Sequence, residues 1–410
     1  MEGIAAGAEW QVKEGLNPAT GSLAHDPFAD PPEILNLRHE VRALCMRFPD
    51  PYWRDLDRRR EYPEAFVRAL TEAAWLAALI PTRYGGLGYG LREAAAILQE
   101  INQSGAYAGP AHAQMYVMGT LLRHGAEEQK ARYLPDIASG ALRLQAFAVT
   151  EPAAGTDTTR IETAAARDGD DYVITGRKMY ISRVQHSDLM VLLARTSPRD
   201  ASHPTAGLSL FLIDLREIGD SITLRPLRMM MNNETNEVTI DALRVPANTL
   251  IGTEGMGFRY ILDGWNAERI LIAAECVGDG RWFIERAAGY AKTRQVFGRP
   301  IGANQGIQFP LSSAWAQVEA ADLMARRAAA RFDAGLSCGA EANTAKLLAS
   351  EASWAAANAA VDTLGGHGFN AEHDVERKFR ETRLYRVAPV SNNLVLSYLA
   401  QHVLGLPRSY

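Results

Sequence analysis

The fold is decided by six short runs: LQAFAVT (144–150), YVIT (172–175), MYIS (179–182), LMVLLART (189–196), LSLFLIDL (208–215) and EVTIDALRV (237–245). Each run is rich in β-branched and large apolar residues. Turn-forming segments such as RDGDD and MNNETNE separate them. This pattern is typical of short strands joined by tight turns. We therefore predict a compact β domain over residues 144–250.

Outward from these runs, the pattern on both sides is helical. In PEAFVRALTEAAWLAALI (63–80) the apolar residues Phe66, Leu70, Ala73, Ala74 and Ala77 recur at the spacing of one helix face. After residue 250 the helical period returns and persists to the end, in segments with the length of bundle helices. The order is helices, strands, helices, without alternating βαβ units, which predicts an α+β fold.

This order divides the chain into four parts. The first residues are rich in Gly, Ala, Pro and Asp and show no sustained periodicity, so we expect an extension that precedes the folded domains. The predicted layout is an extension (1–33), an N-terminal helical domain (34–143), a middle β domain (144–250) and a C-terminal helical domain (251–410).

Composition excludes several classes of function. The chain has 410 residues, 47% of them hydrophobic and 22% charged, which is ample for a large core. Its net charge of -5 and the absence of a long basic run argue against a nucleic-acid partner. The acidic start, with Glu2, Glu9 and Glu14, is unlike a secretory peptide, and no apolar stretch has the length of a membrane span. We expect a cytoplasmic protein.

Metal and dinucleotide signatures are also lacking in the sequence. Cys45, Cys276 and Cys338 are far apart, and the nine histidines show no metal-ligand spacing. The glycines of YGGLGYG (84–90) lack the G-x-G-x-x-G spacing and a βαβ context, so a plain turn is favoured. We predict no metal site.

Two β segments and three helical ones carry a family resemblance. They are AVTEPAAGTD (148–157), GRKMYIS (176–182), RQVFG (294–298) followed by Gln305, LGGHG (364–368) and VER (375–377). In this order and spacing the chain resembles the acyl-CoA dehydrogenase family over nearly its whole length after the extension. The resemblance implies FAD as cofactor, a middle β-barrel or sandwich domain, and a C-terminal four-helix bundle.

The resemblance also implies which residues contact the flavin. The backbone at Val149 and Thr150, with the Thr150 hydroxyl, would address the ring, while Tyr180 would lie against it. The Ser182 hydroxyl would meet N5. Gly155 and Thr156 would let main chain approach the pyrophosphate. Further cofactor contacts implied are Phe147, Asp362, Gly366, Ser391 and Asn393, and implied substrate contacts are Thr156 and Arg269.

Three residues after the β domain imply an oligomer. In the family the positions of Arg294, Phe297 and Gln305 reach the FAD of a neighbouring subunit. Arg294 would offer a charge-assisted contact to phosphate, and Phe297 would pack on the adenine. The resemblance therefore implies a homodimer or homotetramer.

The catalytic base departs from the common family pattern. Most members carry the glutamate at the position that reads Pro389 here, and proline has neither a carboxylate nor a backbone N–H. That N–H helps to hold the thioester carbonyl in the family. The backbone of Val390, a one-residue shift, or the flavin ribityl hydroxyl remain as donors.

Isovaleryl-type and long-chain-type members place the base on a helix, and that position reads Trp265-Asn266-Ala267-Glu268-Arg269 here. Glu268 is the candidate base, because its apolar flanks favour a raised carboxyl pKa. An ordinary surface ion pair is the alternative role for this glutamate.

Three functions follow as hypotheses. The first is α,β-dehydrogenation of an acyl-CoA, or an acyl-carrier thioester, with an electron-transferring flavoprotein as oxidant. The second keeps the flavin but changes the chemistry to oxygenation, desulfination or enoyl-thioester reduction, and Pro389 motivates it. The third is a flavoprotein without catalytic activity.

Overall fold

The computed structural model describes residues 29–409, and most of the predicted extension lies outside them. The first part is helical, as predicted. Its helices pack around a core that includes Phe66, Leu70 and Ile97, each fully buried. Their bounds are α1 Pro32–Cys45, α2 Asp50–Arg59, α3 Glu64–Glu72, α4 Leu91–Gln103, α5 Gly109–His124 and α6 Glu127–Ser139.

One predicted helix is shorter than its periodicity suggested. The spacing of the apolar residues from Phe66 to Ala77 predicts one helix face, but α3 ends at Glu72 and Ala74 takes a left-handed conformation with φ of 61°. A short 3₁₀ turn, Trp75–Ala77, follows and buries all three of its residues. A single left-handed residue redirects the chain without disturbing the apolar spacing, so the sequence pattern does not reveal the break.

The middle part is an eight-stranded sheet. The strands are β1 Leu144–Ala148, β2 Ala164–Asp168, β3 Asp171–Ser182, β4 Leu189–Arg195, β5 Leu208–Asp214, β6 Ile222–Pro226, β7 Thr235–Pro246 and β8 Leu250–Ile251. Their order in the sheet is β6-β7-β3-β2-β4-β5-β8, with β1 pairing in parallel with β4. The runs at 189–196 and 208–215 form β4 and β5, whose central residues are buried on both faces.

Long helices form the last part. Buried alanines at 342, 345, 349, 352 and 356 line α9 and let it pack closely on α7 and α8. The elements are α7 Gly257–Thr293, the hairpin strands β9 Gln295–Val296 and β10 Arg299–Pro300, α8 Gln305–Asp333, α9 Gly339–Leu364, α10 Gly366–Phe369, α11 Val375–Arg383 and α12 Asn392–Tyr398. The predicted α+β architecture of helical, sheet and helical domains is thus confirmed.

Helix α7 also contacts the N-terminal domain. Gly278 of α7 lies so close to α4 that a Cβ there would stand 2.3 Å from the backbone oxygen of Gln99. Within residues 29–409, no helix has the length and apolarity to cross a membrane, and no group of side chains is arranged to hold a metal ion. The three cysteines are buried free thiols.

Candidate active site

Glu268 lies inside the molecule, on the face of α7 that the other domains cover. Its side chain belongs to a residue only 4% exposed, and within residues 29–409 no hydrogen bond or ion pair holds its carboxylate. The surface ion pair considered as an alternative is therefore wrong. Burial raises the pKa of Glu268 to about 7, because an apolar surrounding disfavours the charged form. The positive potentials of His112 and Arg269 oppose this rise in part.

An aromatic wall joins Glu268 to the β domain. Tyr116 of α5 contacts Phe147 of β1 edge to face, with 5.7 Å between the ring centroids, and His112 lies 5.0 Å from Tyr116 on the other side. Burial raises the pKa of Tyr116, and the Glu268 charge raises it further, so the phenol and the carboxyl group interact electrostatically. The wall thus runs from the candidate base to a predicted flavin contact.

A row of buried, hydrogen-bonded polar side chains continues from His112. The Nδ1 atom of His112 lies 2.5 Å from Oε1 of Glu275, and the Tyr385 hydroxyl donates to Oε2 of Glu275 at 2.8 Å. Asn102 donates in turn to the Tyr385 oxygen at 3.2 Å. None of these residues is predicted as a site residue from the sequence. The one feature of the sequence that points to them is Glu275, which follows Glu268 by two helical turns and so lies on the same face of α7.

The predicted flavin contacts on β1 and β3 meet at one edge of the sheet. The Met179 N–H donates to the Thr150 carbonyl at 2.8 Å, which ties the end of β1 to β3. The pairing of β3 with β7 is irregular between Lys178 and Ile181, and Tyr180 there has φ of 62°. A bulge of this kind redirects a side chain. Tyr180 is 59% exposed and presents its ring outward.

A buried ion pair supports this edge from beneath. Lys178, fully buried, donates from Nζ to the Val149 carbonyl at 3.1 Å and lies 2.9 Å from Oε1 of Glu151. Burial lowers the pKa of Lys178 to about 8. Burial acts to raise the pKa of Glu151, but Lys178 and the N–H groups of Glu162 and Thr163 outweigh it and lower the pKa. The pair holds the Val149 peptide in place.

Ser182 is oriented by a residue from a turn. Asn233 donates from Nδ2 to the Ser182 Oγ at 2.9 Å, and the Tyr107 hydroxyl donates to Oδ1 of Asn233 at 2.8 Å. The Thr235 hydroxyl lies 3.1 Å from the same Oγ. The segment around Asn233 is predicted from the sequence only as a turn, and its spacing gives no indication that Asn233 holds Ser182.

Open space surrounds the predicted pyrophosphate loop. Gly155 and Thr156 are exposed, and a Cβ built on Gly155 would meet nothing within 4 Å. The same is true of Gly366 at the start of α10. The fold itself does not require glycine at either position, so the space over these backbones is available to another group.

A second set of predicted contacts lies around the hairpin between α7 and α8. Phe297 is fully exposed, at 101%, with φ of 53°. The rings of Tyr290 and His367 are 5.8 Å apart, which brings α10 beside this end of α7. Arg294, Gln305 and Asp362 are exposed as well. Within the described residues, no hydrogen bond or ion pair joins these side chains to the flavin contacts of β1 and β3.

The segment with Pro389 is held by a buried lysine. Lys346 of α9 donates from Nζ to the Val390 carbonyl and to Oδ1 of Asn392, both at 2.7 Å. Pro389 is exposed and follows a cis peptide bond. Next to it, the Ser391 hydroxyl accepts from the Leu394 N–H and caps α12, so this hydroxyl already has a structural task. Asn393 is exposed.

Arg269, a predicted substrate contact, is mostly buried beside Glu268. Its residue is 8% exposed, and Nη1 donates to Oδ1 of Asn266 at 3.3 Å. The guanidinium stacks over the Trp265 ring, 5.7 Å from its centroid. Burial lowers the pKa of Arg269. Its Nε has no partner among residues 29–409 and is free to bind another group.

Three family models cover most of the chain. They are the acyl-CoA dehydrogenase N-terminal domain at residues 31–141, middle domain at 146–243 and C-terminal domain at 255–404. The chain belongs to the acyl-CoA dehydrogenase family. As an acyl-CoA dehydrogenase family member it is a FAD-dependent oxidoreductase that acts on a CH–CH group. The exposed Tyr180 ring and the open space over Gly155 fit such a cofactor.

Individual relatives span the chain. The acyl-CoA dehydrogenase FadE12 of Mycobacterium tuberculosis is 35% identical over 386 residues, which are 93% of this chain and 99% of the relative. A 3-(aryl)acrylate reductase of Clostridium sporogenes is 30% identical over 375 residues, 90% of this chain and 98% of the relative. The structure of a glutaryl-coenzyme A dehydrogenase complex with glutaryl-CoA matches with a TM-score of 0.87 at 29% identity, covering 94% of this chain and 98% of the other.

Proposed function

We propose that the chain dehydrogenates an acyl-CoA thioester to the 2-enoyl-CoA, with Glu268 as the base. One observation carries the proposal: a carboxyl group that is buried, without a partner among residues 29–409, and with a pKa of about 7 stands beside a wall that leads to the predicted flavin edge. A base whose pKa lies near the working pH combines a large ionised fraction with strong proton affinity.

Each part of the site has a task in this proposal. Glu268 takes the α-proton of the thioester, and the rings of Tyr116 and Phe147 keep water from the carboxylate. Phe147, Val149, Thr150, Tyr180 and Ser182 would hold the isoalloxazine, with Gly155 and Thr156 toward the pyrophosphate. FAD, when bound, supplies the acceptor for the hydride that leaves the β-carbon.

The test is anaerobic bleaching of the flavin by a panel of acyl-CoA thioesters of differing length and branching. Glu268→Gln should keep its FAD and lose about 10²–10⁴-fold in the rate of bleaching, because Gln preserves shape but does not accept the proton. In the parent enzyme the rate should rise with pH, reach half its maximum near the Glu268 pKa of about 7, and level off about one pH unit higher, where the carboxylate form dominates.

Glu285→Gln is the matched control. Glu285 lies on the same helix, is exposed, and accepts from Gln103 at 3.1 Å, a bond that glutamine can also make. This variant should bleach at the parent rate. Undiminished bleaching in Glu268→Gln would remove Glu268 from the mechanism. Full FAD content without bleaching by any thioester would instead support a flavoprotein with no catalytic activity.

Reduction of an enoyl thioester is the second candidate. It is supported by the similarity to the 3-(aryl)acrylate reductase and by the Glu268 pKa of about 7, which leaves much of the carboxyl protonated at neutral pH. A protonated Glu268 is suited to donate to the α-carbon. Oxidation of the dithionite-reduced enzyme by an enoyl-CoA, faster than bleaching by the saturated thioester, would favour this direction.

We further propose an electron-transferring flavoprotein as the physiological oxidant. The reduced enzyme should then react slowly with air and quickly with such a flavoprotein. Rapid reoxidation by air together with an oxygenated product would favour a monooxygenase instead, and release of sulfite from a sulfinated thioester would favour desulfination.

A further inference from the structure

Two donors hold the Asn233 amide in one orientation. Its Oδ1 atom accepts from the Tyr107 hydroxyl at 2.8 Å and from Nη1 of Arg183 at 2.5 Å. A guanidinium group has only donors, so the amide cannot be turned to place its NH₂ group on this side. The Nδ2 atom of Asn233 therefore points the other way, where it donates to Oγ of Ser182 at 2.9 Å.

Arg183 is an unusual partner for a neutral amide. The residue is 7% exposed, and within residues 29–409 no carboxylate lies at ion-pair distance from its guanidinium. Burying a cation without a counter-charge is unfavourable. Arg183 and Glu234 also take left-handed backbone conformations, with φ of 60° and 44°. Residues in such conformations cluster at functional sites, which indicates that this end of β3 and β7 does more than close a turn.

The hydrogen of the Ser182 hydroxyl is left over in this arrangement. Its Oγ accepts from Asn233, and the Thr235 hydroxyl lies 3.1 Å from the same atom. The other acceptor near the Thr235 hydroxyl, the Asn233 carbonyl, is at 3.5 Å, so Thr235 is better placed to donate to Ser182. With both lone pairs of Oγ occupied, Ser182 has only its hydrogen to offer to a third group. Ser182 is partly exposed, so such a group can reach it.

An oxidised flavin presents a suitable acceptor. Its N5 atom carries a lone pair and no hydrogen, and it gains an N–H only when the ring is reduced. The family resemblance directs the Ser182 hydroxyl to N5. Tyr180, two residues earlier on β3, has the exposed ring expected beside the isoalloxazine. A serine that can only donate is complementary to N5 in the oxidised ring and not in the reduced one.

We propose that Asn233 is a positioning residue that sets the direction of the hydrogen bond at Ser182, so that the Ser182 hydroxyl donates to N5 of the oxidised flavin. This role rests on the proposed function, in which Ser182 holds the isoalloxazine. A hydrogen bond donated to N5 withdraws electron density from the atom that receives the hydride and so favours the transfer. Tyr107 and Arg183 act through Asn233, because they fix its amide.

The test reverses one hydrogen bond without removing its atoms. Asn233→Asp keeps the size of the side chain and still accepts from Tyr107 and Arg183. Its second oxygen, however, accepts from Ser182 where the amide donated, so the Ser182 hydrogen is used within the protein. Asn248→Asp, at an exposed residue of the same domain, introduces the same charge and is the matched control.

The readout is the ¹⁵N NMR signal of N5 in the oxidised enzyme, loaded with ¹⁵N-labelled FAD and without substrate. A hydrogen bond donated to a ring nitrogen moves its signal upfield. The parent and Asn248→Asp should show the upfield N5 signal, whereas Ser182→Ala and Asn233→Asp should both lose the upfield shift. The N1 and N3 signals are internal references, because a change of charge alone would move them as well.

Kinetics provide a second readout. With the acyl-CoA that bleaches the flavin fastest, Asn233→Asp should lower the maximal rate of bleaching by about 10-fold, the rate equivalent of one ordinary hydrogen bond. The thioester concentration for half the maximal rate should change little, because Asn233 acts on the flavin side of the site. Asn248→Asp should bleach at the parent rate.

The outcomes separate this role from the proposed function. Parent and Ser182→Ala enzymes with the same N5 signal would overturn the role, and this comparison does not depend on how well Asn233→Asp folds. An Asn233→Asp enzyme that keeps the parent N5 signal would overturn it too. If no acyl-CoA bleaches the flavin, the proposed function fails, but the N5 signals still report the hydrogen bond because they are measured without substrate.

Discussion

The pKa of the Glu268 carboxyl group is set by burial and by charged residues from three different helices. His112 comes from α5, Lys346 comes from α9, and α7 itself contributes Arg269. Burial dominates and raises the pKa, while the three cations lower it by less. A base of this kind is maintained at a cost in stability, because the folded protein holds a charge that it solvates poorly.

That cost predicts a pH-dependent gain in stability for Glu268→Gln. The folded pKa of about 7 lies above the ordinary value of 4.5, so between these pH values the unfolded chain releases a proton that the native state keeps. Stability of the parent enzyme therefore falls as pH rises through this window, by about 3 kcal/mol in total, and glutamine does not share the loss. Thermal unfolding of the parent and of Glu268→Gln, both saturated with FAD, at pH 5 and pH 8 measures this pH-dependent difference in stability.

The difference in stability between Glu268→Gln and the parent enzyme should be larger at pH 8 than at pH 5, with the variant the more stable of the two. An equal gap at both pH values would mean that Glu268 titrates like an exposed carboxyl group, and its assignment as a poised base would then be lost.

At the scale of elements, α7 is the helix on which the site depends. It carries both Glu268 and Glu275, and it is held against α4 by close backbone contact at Gly278. Glycine is needed here for proximity, since the helical conformation at this point suits any residue. The contact sets how far Glu268 stands from the N-terminal domain.

Gly278→Ala should therefore destabilise the protein and impair bleaching. The new Cβ would lie 2.3 Å from the Gln99 oxygen, so α4 and α7 must separate, at a cost of about 1–3 kcal/mol. Gly289→Ala is the matched control on the same helix, because a Cβ there meets nothing within 4 Å. It should be neutral or stabilise by roughly 0.5–1 kcal/mol through helix propensity. Thermal unfolding and bleaching rates compare the two; equal stabilities would show that the helices tolerate the methyl group.

At the scale of the whole molecule, a single chain leaves part of the predicted cofactor site uncovered. Phe297 is fully exposed, and Arg294 and Gln305 beside it are exposed too. These are the positions for which the family resemblance implies contact with the FAD of a neighbouring subunit. We expect this hairpin to complete the FAD site of a second copy of the chain.

Phe297→Ala should accordingly weaken both FAD binding and assembly. The wild type should be a dimer or tetramer with one FAD per chain, while the variant should lose FAD and shift toward smaller species on dilution. Light scattering after size exclusion, with flavin absorbance on the same peak, measures both quantities. Met46→Ala, at a residue 75% exposed near the end of α1, should change neither. A wild-type monomer with full FAD content would contradict this prediction.

Features that depend on near neighbours along the chain could be predicted from the amino-acid sequence. Strand and helix periodicity, the motif AVTEPAAGTD and the Glu268-Arg269 pair are all local patterns, and they were enough for the architecture, the family and a candidate base. The individual cofactor contacts and the domain boundaries stay predictions.

The surroundings of that base could not be predicted in this way, because they come from contacts between residues that are distant along the chain. The rings of His112 and Tyr116, the Asn233 support of Ser182 and the grip of Lys346 on Val390 join residues about 40 to 160 positions apart. The same holds at Ala74, where one left-handed residue ends a helix that its periodicity would continue. Burial, and with it the proton affinity of a carboxyl group, depends on what packs around the group in space, and spacing along one chain segment does not contain that information.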